Sequence, residues 1–266
     1  MKRIYLLLLA AMLTVPTLAE AKQSDDSRKP GDIPDAALNI SKENTYPNST
    51  NDQTYLTPSE EAKELIETAG MDIDNPDLIR LLNETEINMS PLSIGSRAVI
   101  FLGEWPLAYQ SEETNTNWQY QLVNVNKYDN RGGKDVKKMS YVQEKEKQVS
   151  GGLTTNLPHQ VTVEKMIQQK ASQKTKLPLA FTTMIGKDTK KEQYYNIPVK
   201  KLGYLYGYAP AVNEKGHVTY GEVYLNIKGN TPSLEIKNVT QQGIGAWIPV
   251  QDYVSFTFMT SDTPRS

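Results

Sequence analysis

The chain has 266 residues, 29 basic and 31 acidic side chains, two histidines and no cysteine, with a formal net charge of −2. Its length allows one large domain or two small ones. Without cysteine it can form no disulfide, thiol nucleophile, cysteine-zinc site or lipid-modified cysteine, and stability must come from the core.

The start of the chain carries an address. Lys2 and Arg3 precede an uncharged apolar run over residues 4–15, Pro16 breaks it, and Ala19-Glu20-Ala21 supplies small residues at Ala19 and Ala21. This is the pattern of a secretory signal peptide cleaved before Lys22. The apolar run is about twelve residues, short of the roughly twenty that a membrane helix needs. The expected location is therefore outside the cytoplasm, free or attached to the cell wall. Export without disulfides fits a Gram-positive bacterium, so the N-x-S/T matches at Asn83, Asn88 and Asn238 are read as chance. The predicted organisation is a signal peptide at 1–21, a flexible polar tether at 22–37 and a single β-rich domain at 38–266.

Charge is unevenly spread along the mature chain. Residues 22–126 hold 7 basic and 18 acidic side chains, whereas residues 127–201 hold 16 basic and 7 acidic. Either the acidic first third packs against the basic middle, or the middle presents a basic face to an anionic partner. An exported protein of acidic overall balance is a poor candidate for nucleic acid.

Two short helices are predicted first. One starts at Thr57-Pro58 with a capping box to Glu60 and stops at Gly70; the other starts at Asn75-Pro76 and reaches Asn83. From Ile94 the apolar period changes to two. Strands are predicted at 97–102, around Trp118, Tyr120 and Leu122, and as a charged strand or hairpin arm over 136–149. A helix is predicted over 163–174, capped by Thr162. Five strands follow at 201–209, 217–228, 233–240, 244–250 and 254–260, divided by turn signals at Asn213-Glu214-Lys215-Gly216, Gly229-Asn230, Gln241-Gln242-Gly243 and Gln251-Asp252. The expected class is α+β and β-rich: a mainly antiparallel sandwich or barrel with two short N-terminal helices and one middle helix.

The strongest local pattern is Tyr204, Tyr206 and Tyr208 at alternate positions of one strand. A hairpin at 213–216 would place Ala209 opposite Tyr220 and Leu205 opposite Tyr224. Tyrosine fills sheet faces without any ligand, but it also suits glycan binding, because the ring stacks and the hydroxyl hydrogen-bonds. Trp105, Trp118 and Trp247 are read as core residues. Catalytic signals are weak: His159 and His217 stand in no nucleophile or zinc motif, and no G-x-S-x-G is present. Asp72, Asp74 and Asp77 lack the glycine and glutamate of a calcium loop. The pair Glu112-Glu113 could serve a glycosidase, but acidic residues are too common to single it out. No catalytic residue, metal site or cofactor is predicted.

Four segments carry a family resemblance: Ser41-Lys42-Glu43-Asn44-Thr45-Tyr46-Pro47, Tyr128-Asp129-Asn130-Arg131-Gly132-Gly133, residues 209–216, and residues 242–252. On these the chain resembles the YfkD-like family of Bacillus and its relatives across almost all its mature length. The resemblance implies an exported protein of unknown function and offers no catalytic residue for transfer.

The leading expectation is a non-catalytic envelope protein that binds a wall polymer, a membrane surface or an extracytoplasmic protein. The expected binding surface joins the basic middle (Lys137, Lys138, Lys187, Lys190, Lys191, Lys200 and Lys201) to the tyrosine-rich hairpin. The alternatives are a wall hydrolase that uses acidic residues and a structural protein that assembles through strand edges.

Overall fold

The computed structural model describes residues 29–48, 56–85, 97–229 and 231–265. The predicted leader at 1–21, with Ala19 and Ala21, and the first part of the predicted tether lie outside the described residues. Residues 29–37 pass the end of the middle helix, where Gly31 lies so close to the Thr175 carbonyl that a Cβ there would clash.

Three very long antiparallel strands dominate. Strand β1 (Ala37–Asn39) is followed by helices α1 (Glu60–Thr68) and α2 (Pro76–Asn83) and by β2 (Arg97–Asp129), which is 33 residues long. Strands β3 (Lys137–Val142), β4 (Lys147–Ser150) and β5 (Gly152–Leu153) precede helix α3 (Gln160–Thr175). The chain ends with β6 (Thr182–Ile185), β7 (Lys190–Ile197), β8 (Leu202–Lys228), β9 (Thr231–Pro249) and β10 (Tyr253–Ser261). β8 is the axis. β2 lies along one of its edges from Asp129↔Leu202 to Arg97↔Lys228. β10 and β9 lie end to end along the other edge. β1 and β5 extend that side, and the sheet does not close, so the predicted barrel is replaced by an open sheet. Pairs β3–β7 and β4–β6 form two small sheets of their own, so the predicted hairpin arm over 136–149 is two strands that pair elsewhere.

Two of the four turn signals after α3 mislead, whereas those at Gly229 and Gln251-Asp252 fall at turns. Residues 213–216 do not turn: Asn213 lies between Asn115 and Trp247, and Glu214 between Thr114 and Ala246. The predicted hairpin facings of Ala209 with Tyr220 and Leu205 with Tyr224 are therefore wrong, because all four lie on one strand. Gly216 serves close approach, since a Cβ there would meet the Gln110 carbonyl and the Tyr109 hydroxyl. Residues 241–243 likewise run straight through β9. The real turn is at Gly229, with φ 60°, where Lys228 pairs with Thr231. β2 is continuous where two strands were predicted. It stays paired by absorbing register shifts, the largest between Asn117 and Gln121.

The buried side of β8 changes parity twice. Leu205 belongs to a cluster with Met139, Tyr141, Ile185, Ile197, Val254 and Phe256. Val212, Val218 and Tyr220 join Val163, Met166 and Ile167 of α3. Val223 and Leu225 join Ala62, Leu65, Leu78 and Leu82 of α1 and α2. Odd positions are covered at each end of the strand and even positions in the middle. A sheet this long twists strongly, and its covering layer changes face along the way. The predicted sandwich is present where the β3–β7 pair covers the main sheet; helices take that place elsewhere.

The helices begin where their caps dictate. Ser59, not Thr57, caps α1: its hydroxyl accepts the Ala62 N–H at 3.1 Å. Asn75 caps α2, accepting from Asp77 and Leu78 while donating to the Pro106 carbonyl at 2.6 Å. α3 starts three residues earlier than predicted, after His159 in the left-handed region and without a side-chain cap, so Thr162 is not its cap. Among the described residues no helix is long and apolar enough to cross a membrane.

Candidate functional site

The even-numbered side of β8 continues past α3 as an uncovered face. Tyr204, Tyr206 and Tyr208 point there, because a Cβ on Gly203 or Gly207 would meet Ile197 or Tyr141 on the opposite side. On the neighbouring strands, Lys127, Val125 and Leu122 and then Met259, Thr257 and Ser255 stand opposite these tyrosines. The rings of Tyr204 and Tyr206 stack 6.3 Å apart. Toward α3 the row extends to Tyr253, which meets Trp118 edge-on at 6.4 Å. Gln119 donates to Thr257 Oγ1 at 3.1 Å. The result is a strip of half-buried rings flanked by amide and hydroxyl groups. Tyr206, Tyr208, Tyr253 and Trp118 are partly exposed, whereas Tyr204 is buried and its hydroxyl accepts the Arg265 N–H at 2.9 Å. The charge placed over these rings is Lys127, 5.7 Å from the Tyr204 ring centre. Trp118 and Tyr253 escape a strand-by-strand reading because they come from different strands, β2 and β10, and meet only in the fold.

The basic residues gather elsewhere. Lys138 and Lys190 lie on the exposed β3–β7 pair, which covers the face opposite the tyrosines. Lys137, Lys187 and Lys200 are also exposed, and these five lysines make no ion pair among the described residues. Lys191 instead bonds Glu43 at 2.8 Å and the Asn39 carbonyl, and Lys201 bonds Asp262 at 2.7 Å. The expected joint surface therefore separates into an aromatic strip on one face and a lysine layer on the other.

Part of the charge asymmetry is met by ion pairs within the fold. Lys165 reaches Asp77 at 3.2 Å and Lys170 reaches Asp74 at 3.0 Å, so α3 docks its lysines on α2 and the loop before it. Burial pushes the Asp74 carboxyl above its ordinary range, against the pull of Lys170. Burial also pushes Asp77 up, but the Thr162 hydroxyl, Lys165 and Arg80 outweigh it, and its net shift is downward. Glu112 pairs with His217 and Glu113 with Lys215, so these carboxylates have partners of their own rather than each other.

The segments that carry the family resemblance hold polar clasps. Asn44 bonds the Met184 carbonyl and Asp252, tying the N-terminal arm to β6 and to the β9–β10 turn. Asn130 donates to the carbonyls of Asp135, Ile197 and Pro198. Glu214 is fully buried in the middle of β8; its Oε1 accepts from the Tyr109 hydroxyl at 3.3 Å and from the Ser111 hydroxyl. Burial first, then the Glu214 carboxylate beside it, push the Tyr109 phenol far above its ordinary range and keep it a donor. The sequence reading missed this cluster because it took Glu214 for a turn residue.

An open antiparallel ribbon with polar clasps and one bare aromatic face defines a β-rich α+β protein. Over residues 34–265 the chain matches the family described as YfkD-like protein. It is also 55% identical over 239 residues, 90% of each chain, to the uncharacterized protein YfkD of Bacillus subtilis (strain 168). The chain belongs to the YfkD-like family.

Proposed function

We propose that this protein is exported to the cell envelope and there binds an extended hydroxylated polymer, such as a wall glycan strand, along the aromatic strip, which itself carries out no catalysis. The observation that carries this reading is the strip itself: Tyr206 and Tyr208, partly exposed on the sheet face beyond α3, with the Trp118–Tyr253 pair at the end that packs against the α3 cluster. Export rests on the leader pattern at 1–21. A row of half-buried rings with free edges offers stacking area and fixed hydroxyl groups at little cost in side-chain entropy. With a single lysine over its rings, the strip favours a neutral ligand over an anionic one.

The test is co-sedimentation of the mature protein with purified Gram-positive cell walls, intact and stripped of teichoic acid, at low and high salt. The reading expects pelleting that survives both stripping and salt. Tyr206→Ala should weaken it about tenfold, as loss of a central aromatic contact does. Binding that vanishes with teichoic acid or at high salt would move the site to the lysine layer of Lys138 and Lys190, since exposed charges are screened. Release of soluble wall fragments would replace binding with hydrolysis.

A further inference from the structure

The cleft beside α3 holds a second arrangement, distinct from the aromatic strip. It has a volume of about 1110 Å³; Tyr109, Ser111 and Lys174 lie on its wall, together with the carboxylates of Glu67, Asp72 and Asp74. On its wall Lys174 Nζ donates to Ser111 Oγ at 2.6 Å. Ser111 in turn donates to Glu214 Oε1, which the Tyr109 hydroxyl also holds. The serine thus has a carboxylate behind it, oriented by a third group, and an ammonium in front.

Packing alone gives no reason for Glu214. Its neighbours on that side of β8 are Val212, Gly216 and Val218, in the dry cluster under α3. A carboxylate in such a row costs desolvation that an apolar side chain would not. Its Oε2 is buried and makes no hydrogen bond among the described residues, an exception of the kind a catalytic role explains.

We propose that Ser111 is the nucleophile of an acyl-transfer centre, with Glu214 as its general base and Lys174 as the charge that stabilises the oxyanion. The substrate class is a carboxylic ester. Ser111 Oγ attacks the ester carbonyl carbon and its proton passes to Glu214. The carbonyl electron pair moves onto oxygen, beside the Lys174 ammonium. Collapse breaks the bond to the alcohol oxygen, which takes a proton from the Tyr109 hydroxyl on the cleft wall as Tyr109 takes the proton held by Glu214. Water then attacks the acyl-serine and gives its proton back through the same Tyr109–Glu214 pair; the serine oxygen leaves with that proton, which releases the acid and restores Ser111. The net change is ester plus water to acid plus alcohol.

The experiment treats the mature protein with a fluorophosphonate probe, maps the adduct by mass spectrometry and follows hydrolysis of p-nitrophenyl butyrate. The expected result is an adduct on Ser111 and ester turnover that Ser111→Ala abolishes. Glu214→Gln keeps the shape of the buried group and should slow both reactions about 100-fold, the usual scale of a lost general base. If that variant melts below the assay temperature, Glu214→Asp makes the same comparison, since it retains the charge but withdraws it from the hydroxyl. Lys228→Ala, an exposed change at the far end of β8 that touches neither site, should react as the wild type does. A folded protein with no adduct on Ser111, or labelling unchanged in both Glu214 variants, would overturn the proposal.

Discussion

Two stretches of β8 share one side of one strand and meet different fates. From Val212 to Tyr220 the even positions lie under α3 and are dry; from Tyr204 to Tyr208 they lie beyond it, and Tyr206 and Tyr208 stay partly exposed. The covered stretch is aliphatic apart from Glu214 and Tyr220, and the bare one is tyrosine. Apolar burial stabilises the first at about 25 cal/mol per Å². The second keeps amphipathic rings that tolerate water on one side. The difference shows that strand alternation decides which residues share a side, while the layer packed on that side decides what they do. The sharpest break between the stretches is in stability. Ile167→Ala, in the helix over the covered stretch, should cost about 2–5 kcal/mol in urea unfolding. Tyr206→Ala should cost less than about 1.5 kcal/mol, because its ring is only half buried. Equal costs would make the strip part of the core and end its claim as a binding face.

The same contrast explains what the sequence made legible. The alternation of Tyr204, Tyr206 and Tyr208, the start of α2 at Asn75-Pro76 and the end of α1 at Gly70 follow from local chemistry, and all three are present. Glycine was the misleading letter: Gly216 and Gly243 look like turn residues but lie inside strands, where Gly216 admits a neighbouring backbone. That need is tertiary and leaves no local trace. Nor could a single strand reveal that Trp118 and Tyr253 extend the tyrosine row, or that Ser111 and Glu214, 103 residues apart, share a hydrogen bond. Pairing brings them together, and pairing here spans most of the chain. The acidic and basic thirds were legible as a pattern, and part of that pattern resolves into α3 docking on Asp74 and Asp77.

That docking ties the covered stretch to the rest of the fold and yields the next two effects. Asn75→Ala removes a cap and a buried bond to Pro106 together, and should cost about 1–2 kcal/mol in the same assay. Asp74 and Asp77 should respond to pH with opposite signs. Asp77 has a lowered folded pKa, so its ionised form contributes stability above the unfolded value, and that contribution fades as pH falls through the folded value. Asp74 has a raised folded pKa, so its ionised form costs stability at neutral pH, and the cost disappears as pH falls through that raised value. Asp77→Asn should lose about 0.2–1 kcal/mol at pH 7, the range of an ion pair whose cations are exposed, and the deficit should shrink in acid. Relative to Asp74→Asn, the wild type should gain as pH falls. Parallel pH profiles for the two variants would mean that burial does not distinguish these carboxylates.

The smallest effect belongs to the lysine layer, and it completes the comparison from the other face of the sheet. Lys190 is exposed, pairs across strands with Val142 and makes no ion pair among the described residues. Lys190→Glu should change stability by less than about 0.5 kcal/mol, as surface substitutions usually do. It should also leave wall binding unchanged if the neutral strip is the binding face. Charge reversal acts over about 8–10 Å at physiological salt, whereas the β3–β7 pair is separated from the tyrosines by the thickness of the sheet and the cluster beneath it. A marked loss of binding in Lys190→Glu, with Tyr206→Ala unaffected, would assign recognition to the basic face and leave the aromatic strip as bare structure.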